Sequence, residues 1–138
     1  MSDYAGFFKP FPKGESVAEL ISAAEACLDG FTACFNAGDA AGMDAHLHFP
    51  HVMFSGAEQL VWEQPGQLPV DFFDELRKTG WAKTVYEEKQ PIYVSPDKVH
   101  FRVRYTRRAL DGHVLTEHEN IWFVTRIAGR WGIALRSY

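Results

Sequence analysis

Two turn signals near the C-terminal end constrain this chain more than anything else in it. Asp111-Gly112 is a strong two-residue hairpin turn and Ala128-Gly129 a weaker one, each set between the apolar, β-type runs that extend from Trp81 to Tyr138. With Asp111 and Gly112 at the centre of the first turn, Tyr105 faces His118, Val103 faces Asn120, Phe101 faces Trp122 and Val99 faces Val124. The second turn sets Val124 opposite Ile133, Trp122 opposite Leu135 and Asn120 opposite Ser137. Both hairpins therefore send His118, Asn120, Trp122 and Val124 of the shared strand to one face. A one-residue slip in either turn would move every side chain to the other face and destroy that agreement. The result is an apolar face with a polar cluster at one end: Tyr105, His118, Asn120 and Ser137. Alternate positions pair Thr106 with Glu117 and Arg104 with Glu119, so Arg102, Arg104, Arg107 and Arg108 read as sheet partners of acids. In these registers Arg104, Glu119 and Arg136 share the outer face with Ile121 and Phe123, a mixed apolar and charged surface suited to a homodimer interface.

An apolar sheet face needs a cover, and the first half of the chain supplies one. Ser16-Val17-Ala18-Glu19 is a capping box that starts a helix. Val17, Leu20, Ile21, Ala24, Cys27, Leu28, Phe31, Cys34 and Phe35 then recur at helical spacing until Gly38. Asp39 caps a short helix over 40–46, and Pro50 disfavours helical geometry at Phe49, so a first strand is expected over His51 to Phe54. Ser55 to Glu58 forms a turn, Gln59 to Glu63 a second strand, and a third helix runs from Pro69 to Gly80. The fold class is α+β: helices on one face of a curved antiparallel sheet. One domain spanning residues 1–138 is expected, with residues 1–15 as an extended N-terminal arm.

Composition narrows the function classes. Hydrophobic residues make up 46% and aromatics 14% of 138 residues, enough for a packed core with side chains left over to line a cavity. The net charge of −4 and the absence of phosphate-binding glycine loops argue against a nucleic-acid partner. The start, MSDYAGFFKPFPKGES, lacks the basic and apolar segments of a secretion signal, and no run reaches a membrane span; a cytoplasmic protein without membrane contact is expected. Cys27 and Cys34 lie roughly 10 Å apart along a helix, beyond disulfide reach, and read as small buried hydrophobes.

The element order, together with His-Phe-Pro-His-Val at His48 to Val52 and the closing Gly-x-Trp-x-Ile strand in Gly129 to Ser137, resembles the NTF2-like (SnoaL-like) superfamily of cone-shaped, cystatin-like α+β barrels. The resemblance covers Ser16 to Tyr138. It implies a pocket between the concave sheet face and the helices, a hydrophobic small molecule as partner, and a homodimer formed through the outer sheet face. Members include ketosteroid isomerases, polyketide cyclases, dehydratases, dioxygenase small subunits and proteins without known chemistry, and fold alone does not choose among them. The steroid isomerases carry a carboxylate base near the end of the first strand, where this chain has Ser55-Gly56.

Cyclase- and dehydratase-like members do acid–base work in the pocket, and His118 with Tyr105 is the pair that could do it here. A neutral imidazole can take a proton near pH 7 while a phenol donates to a developing oxyanion. The bland alternative is that the two groups satisfy each other's hydrogen bonds in the core. Candidate ligand-binding residues are His51, Trp62, Phe101, Asn120, Trp122 and Ser137, and Trp131 is expected in the core. His46, His48 and His51, with Asp44 or Glu63, resemble a facial metal triad only in composition, because the chain turns from helix to strand between them. No metal and no cofactor is expected. His48 should brace the corner, and His51, entering the barrel, should see the ligand. Three readings follow: a cyclase, dehydratase or isomerase; a noncatalytic receptor for a hydrophobic metabolite; and an interaction module whose pocket is filled by Trp122, Phe101 and Leu135.

Overall fold

The computed structural model describes residues 16–138; the expected N-terminal arm lies outside the described residues. Helix α1 (Val17–Asn36) starts where Ser16 Oγ accepts from the Glu19 N–H at 3.4 Å, and its buried stripe of Leu20, Ala24, Cys27, Leu28 and Phe31 lies against the sheet. Asp39 caps α2 (Ala40–Ala45) by accepting from the Gly42 N–H at 2.9 Å. Strands β1 (Leu47–Ser55) and β2 (Glu58–Trp62) form a hairpin, followed by α3 (Phe72–Arg77). The long strands β3 (Lys83–Ser95), β4 (Lys98–Arg108), β5 (Val114–Ile127) and β6 (Arg130–Ser137) complete one six-stranded sheet in the order β2-β1-β6-β5-β4-β3. All neighbours are antiparallel except β1 and β6, which run parallel, so the sheet is mixed.

Two expected elements differ most in their bounds. β1 begins at Leu47, ahead of His51, because Pro50 sits where the ladder to β6 is already interrupted: no residue between Leu47 and Val52 pairs with β6, so a missing N–H costs nothing there. α3 is a shorter helix than Pro69 to Gly80 suggests. Pro69 accepts only a turn bond from the Phe72 N–H, and Asp71 lies outside helical geometry without a side-chain cap.

The β4–β5 register is as read from the sequence, including Tyr105 opposite His118 and Phe101 opposite Trp122. The turn itself differs. Ala109 donates to the His113 carbonyl and Gly112 to the Ala109 carbonyl, so the loop is the three residues Leu110, Asp111 and Gly112, with Gly112 at φ 91°. Arg107 pairs with Thr116 and Arg108 with Val114, leaving Leu115 as an extra residue that restores the register.

The β5–β6 register starts as expected, with Val124 opposite Ile133 across a two-residue turn whose Ala128 and Gly129 both have positive φ. It then slips. Leu135 pairs with Phe123, Arg136 with Trp122 and Ser137 with Ile121. Strand β6 advances two residues where β5 advances one, and the bulge at Ala134 exchanges the faces beyond it. Leu135 and Ser137 therefore leave the inner face and Arg136 enters it, which corrects the expected Trp122–Leu135 and Asn120–Ser137 pairs and the outer placement of Arg136.

The core between α1 and the sheet contains Leu28, Phe31, Leu47, Val99, Phe101, Val103, Val124 and Ile133. Trp131 packs against it half-buried, and Cys27 is buried and Cys34 half-buried, both as free thiols. No helix among the described residues is long and apolar enough to cross a membrane.

Candidate functional site

The concave face does not close completely on the helices. A cavity of about 510 Å³ remains, walled by Phe31 and Phe35 of α1, Trp62 of β2, Tyr86 of β3, Tyr105 of β4 and Trp122 of β5. Its volume falls in the usual range for a small-molecule site. Ser55, Glu58, Gln59, Leu60, Pro69 and Tyr138 line it and are exposed, so they mark the mouth. Phe31 meets Trp122 edge to face at 5.7 Å between centroids, which fixes the two rings as a rigid corner.

The polar groups of the cavity centre on Arg136. It is 5% exposed and makes three hydrogen bonds: Nε–H to His51 Nε2 at 2.9 Å, Nη1–H to the Tyr138 hydroxyl at 2.9 Å and Nη2–H to Met53 Sδ at 3.2 Å. The guanidinium carbon lies 5.0 Å from the Phe31 ring centre, 5.8 Å from those of Trp62 and Trp122, and 5.7 Å from that of Tyr138. His51 is fully buried beneath it, packs on Trp62, and donates Nδ1–H to the Ile133 carbonyl at 2.9 Å. Because Nε2 accepts from Arg136, the proton must sit on Nδ1, and the imidazole is neutral. Burial and then the positive charge of Arg136 hold its pKa down to about 3, against the raising effect of the Ile133 bond. Among the described residues Tyr105 donates no bond of its own: its hydroxyl accepts from Asn120 Nδ2 at 3.0 Å, and burial raises its pKa. Burial likewise raises the pKa of Tyr86.

A family profile described as "NTF2-like protein (DUF6841)" matches residues 18–136. The chain belongs to this NTF2-like family. Its fold is similar to that of a protein of unknown function with a cystatin-like fold from Nostoc punctiforme PCC 73102, at TM-score 0.67 and 13% identity, covering 90% of this chain and 92% of that one. An NTF2-like protein of unknown function from Pseudomonas putida KT2440 gives TM-score 0.67 at 14% identity, covering 90% and 87%. A ketosteroid isomerase-like protein from Erwinia carotovora atroseptica SCRI1043 gives 0.58 at 20% identity, covering 86% and 94%. No curated protein matches. At these identities the likeness concerns the fold alone.

Within this NTF2-like protein the residues singled out from the sequence separate into two groups. Tyr105, Trp62 and Trp122 line the cavity. His51, Phe101 and Asn120 are buried behind that lining: His51 holds Arg136, Phe101 is core, and Asn120 holds the Tyr105 hydroxyl. His118 and Ser137 are not among the lining residues. His118 stacks flat on the Tyr105 ring at 4.9 Å and 17°, with its Nε2 2.8 Å from Thr116 Oγ1, so ring contact rather than a hydrogen bond joins the expected acid–base pair. Its pKa is lowered by burial and then by Arg107.

The histidine-rich corner is structural. His46 closes α2 with Nδ1 2.7 Å from the Gly42 carbonyl. His48 Nε2 lies 3.1 and 3.0 Å from the Thr125 and Arg130 carbonyls, and Arg130 donates to its Nδ1 at 2.9 Å, so it ties β1 to the β5–β6 hairpin. Among the described residues no cluster of metal-ligating side chains occurs. Arg136 and Arg107 are the cationic cavity residues that the sequence reading missed. Arg136 was hidden by the bulge, whereas Arg107 was grouped with the arginines read as sheet partners of acids. Arg102 and Arg104 do meet acids, Glu119 at 3.7 Å and Glu88 at 3.9 Å, and Arg108 meets Glu87, but Arg107 turns to the cavity and its buried Nε has no partner among the described residues.

Proposed function

We propose that this NTF2-like protein is a receptor for a flat, hydrophobic small molecule held in the cavity between α1 and the sheet, without turnover. One observation carries the reading: aromatic rings wall a cavity of about 510 Å³ that, among the described residues, is lined by no histidine, cysteine or lysine and by a single carboxylate, Glu58, at the mouth. Acid–base chemistry needs a group near its working pKa within reach of the ligand. The nearby histidines do not supply it, because His51 has both nitrogens engaged and His118 stands outside the lining.

The test is a thermal-shift screen against aromatic polyketides, steroids, terpenoids and phenols. A ligand at a hundred times its Kd stabilises by about 2.7 kcal/mol, which raises the midpoint of a domain of this size by roughly 5–10 °C. The affinity of a hit should survive His118→Gln and weaken in Trp122→Ala. A screen in which nothing shifts, or a hit that is consumed by the wild type and spared by His118→Gln, would overturn the receptor reading.

The same protein forms a homodimer through the outer face of its sheet. Ile121 (38% exposed) and Tyr93 (43%) there lie among Arg102, Arg104, Glu88 and Glu119, the mixture expected of a non-obligate interface. Light scattering of the wild type and of Ile121→Glu tests this: a dimer that the substitution dissociates supports it, and a wild-type monomer refutes it.

A further inference from the structure

We infer that the ligand carries a carboxylate, and that Arg136 is the residue that binds it. This rests on the receptor reading above and names the ligand's chemistry. A guanidinium does not lose its proton in a protein, so Arg136 is a cation at 5% exposure. A buried charge is stable only when paired or compensated, and among the described residues Arg136 has no acidic partner within ion-pair distance. Its three hydrogen-bond partners are a neutral imidazole, a phenol and a thioether, none of which carries negative charge. The ring faces of Phe31, Trp62, Trp122 and Tyr138 offset part of the cost through their quadrupoles. They do not neutralise it.

The donor count indicates what is missing. Three of the five guanidinium N–H groups are taken, one on Nε and one on each terminal nitrogen, which leaves two on the Nη atoms. Two donors on adjacent nitrogens suit the two oxygens of a carboxylate, the geometry in which arginine binds most strongly. The bracing is what a clamp requires. His51 is itself fixed by the Ile133 carbonyl, so the guanidinium plane is set before the ligand arrives. Arg107, with its unpartnered buried Nε on the same cavity, adds positive potential, while the single lining carboxylate, Glu58, lies at the mouth. The anion therefore enters head first to Arg136, and its apolar body fills the space among the aromatic rings.

Matched acid–amide pairs test this by calorimetry on the wild type and on Arg136→Met: benzoate with benzamide, 2-naphthoate with 2-naphthamide, and 1-pyrenecarboxylate with its amide. At least one acid should bind the wild type ten-fold or more tightly than its amide, and Arg136→Met should abolish that preference, bringing the acid's affinity to that of its amide. Should the variant fail to fold, the wild-type comparison still decides, because amides matching or exceeding their acids would overturn the inference. That result would leave the receptor reading standing, since the amides bind. If no member of any pair binds, this inference falls, and the receptor reading is decided separately by the thermal-shift screen. An acid preference that persists in folded Arg136→Met would also overturn the assignment and move the anion to another group.

Discussion

Lowering the pH should destabilise this protein through His51 in a way that can be worked out beforehand. In the folded state His51 accepts from Arg136 and stays neutral down to a pKa of about 3, whereas in the unfolded chain it titrates near 6.5. Between those values the unfolded state holds more protons, so stability rises with pH across the window and falls as pH drops. Going from pH 7 to pH 5 the unfolded chain gains most of a proton at this site and the folded chain gains almost none. Integration gives a loss of about 2 kcal/mol, and about 3 kcal/mol by pH 4. The physical cause is first burial, which disfavours the charged imidazolium, and then Arg136: a protonated His51 would lose the lone pair that Arg136 uses and would place a second cation against it.

Urea denaturation at pH 7 and pH 5 reads this, with His51→Gln as reference. The glutamine amide also has one acceptor and a donor for the same two neighbours, but it does not titrate. His100 and His118, whose pKa values are also lowered by burial, push in the same direction in both proteins and cancel in the difference. The wild type should lose about 2 kcal/mol more than the variant, or roughly 1 M in urea midpoint at an m-value of about 2 kcal/mol/M. Equal losses would mean that His51 protonates normally in the folded protein, and the Arg136–His51 hydrogen bond would have to be abandoned with it.

Three further outcomes follow from the packing. Gly132→Ala should cost about 1–3 kcal/mol by chemical denaturation, because its Cβ would come within 2.8 Å of the His48 ring, which two carbonyls and Arg130 hold in place. Phe31→Ala should cost about 3–5 kcal/mol and also weaken any cavity ligand, since this 2% exposed ring supports both Trp122 and Arg136. In thiol labelling of the native protein Cys27 should react only as fast as the protein opens, because burial raises its pKa to about 11; labelling at the rate of a free thiol at pH 8 would contradict its burial.

Much of the fold was legible because its signals are local and redundant. The serine cap at Ser16 and the aspartate cap at Asp39 work through neighbouring N–H groups, and both form as read. The β4–β5 register was correct for a less direct reason. The real loop holds one residue more than the Asp111-Gly112 reading allows, and the extra residue at Leu115 on β5 shifts the pairing back by one. Two departures cancelled because burial of Phe101, Val103 and Tyr105 on one face fixes the parity of the strand whatever the turn does.

At β6 no such restoring bulge follows, and here the site escaped the sequence reading. Up to Ile133 the inner positions are apolar and the alternation holds. Beyond Ala134 the parity argument prefers Leu135 inside and Arg136 outside, since it ranks faces by hydrophobicity and assumes one unbroken ladder. The bulge imposes the costlier choice: a guanidinium goes into the core and a leucine leaves the inner face. A chain stabilised by core packing alone gains nothing from that exchange, because a leucine at the inner position would bury without a desolvation penalty. The exchange becomes intelligible once the inner position must recognise something charged. The local departure from the hydrophobic pattern and the functional candidate are then the same residue, held by a histidine whose own conspicuous motif had pointed instead to metal or to direct ligand contact.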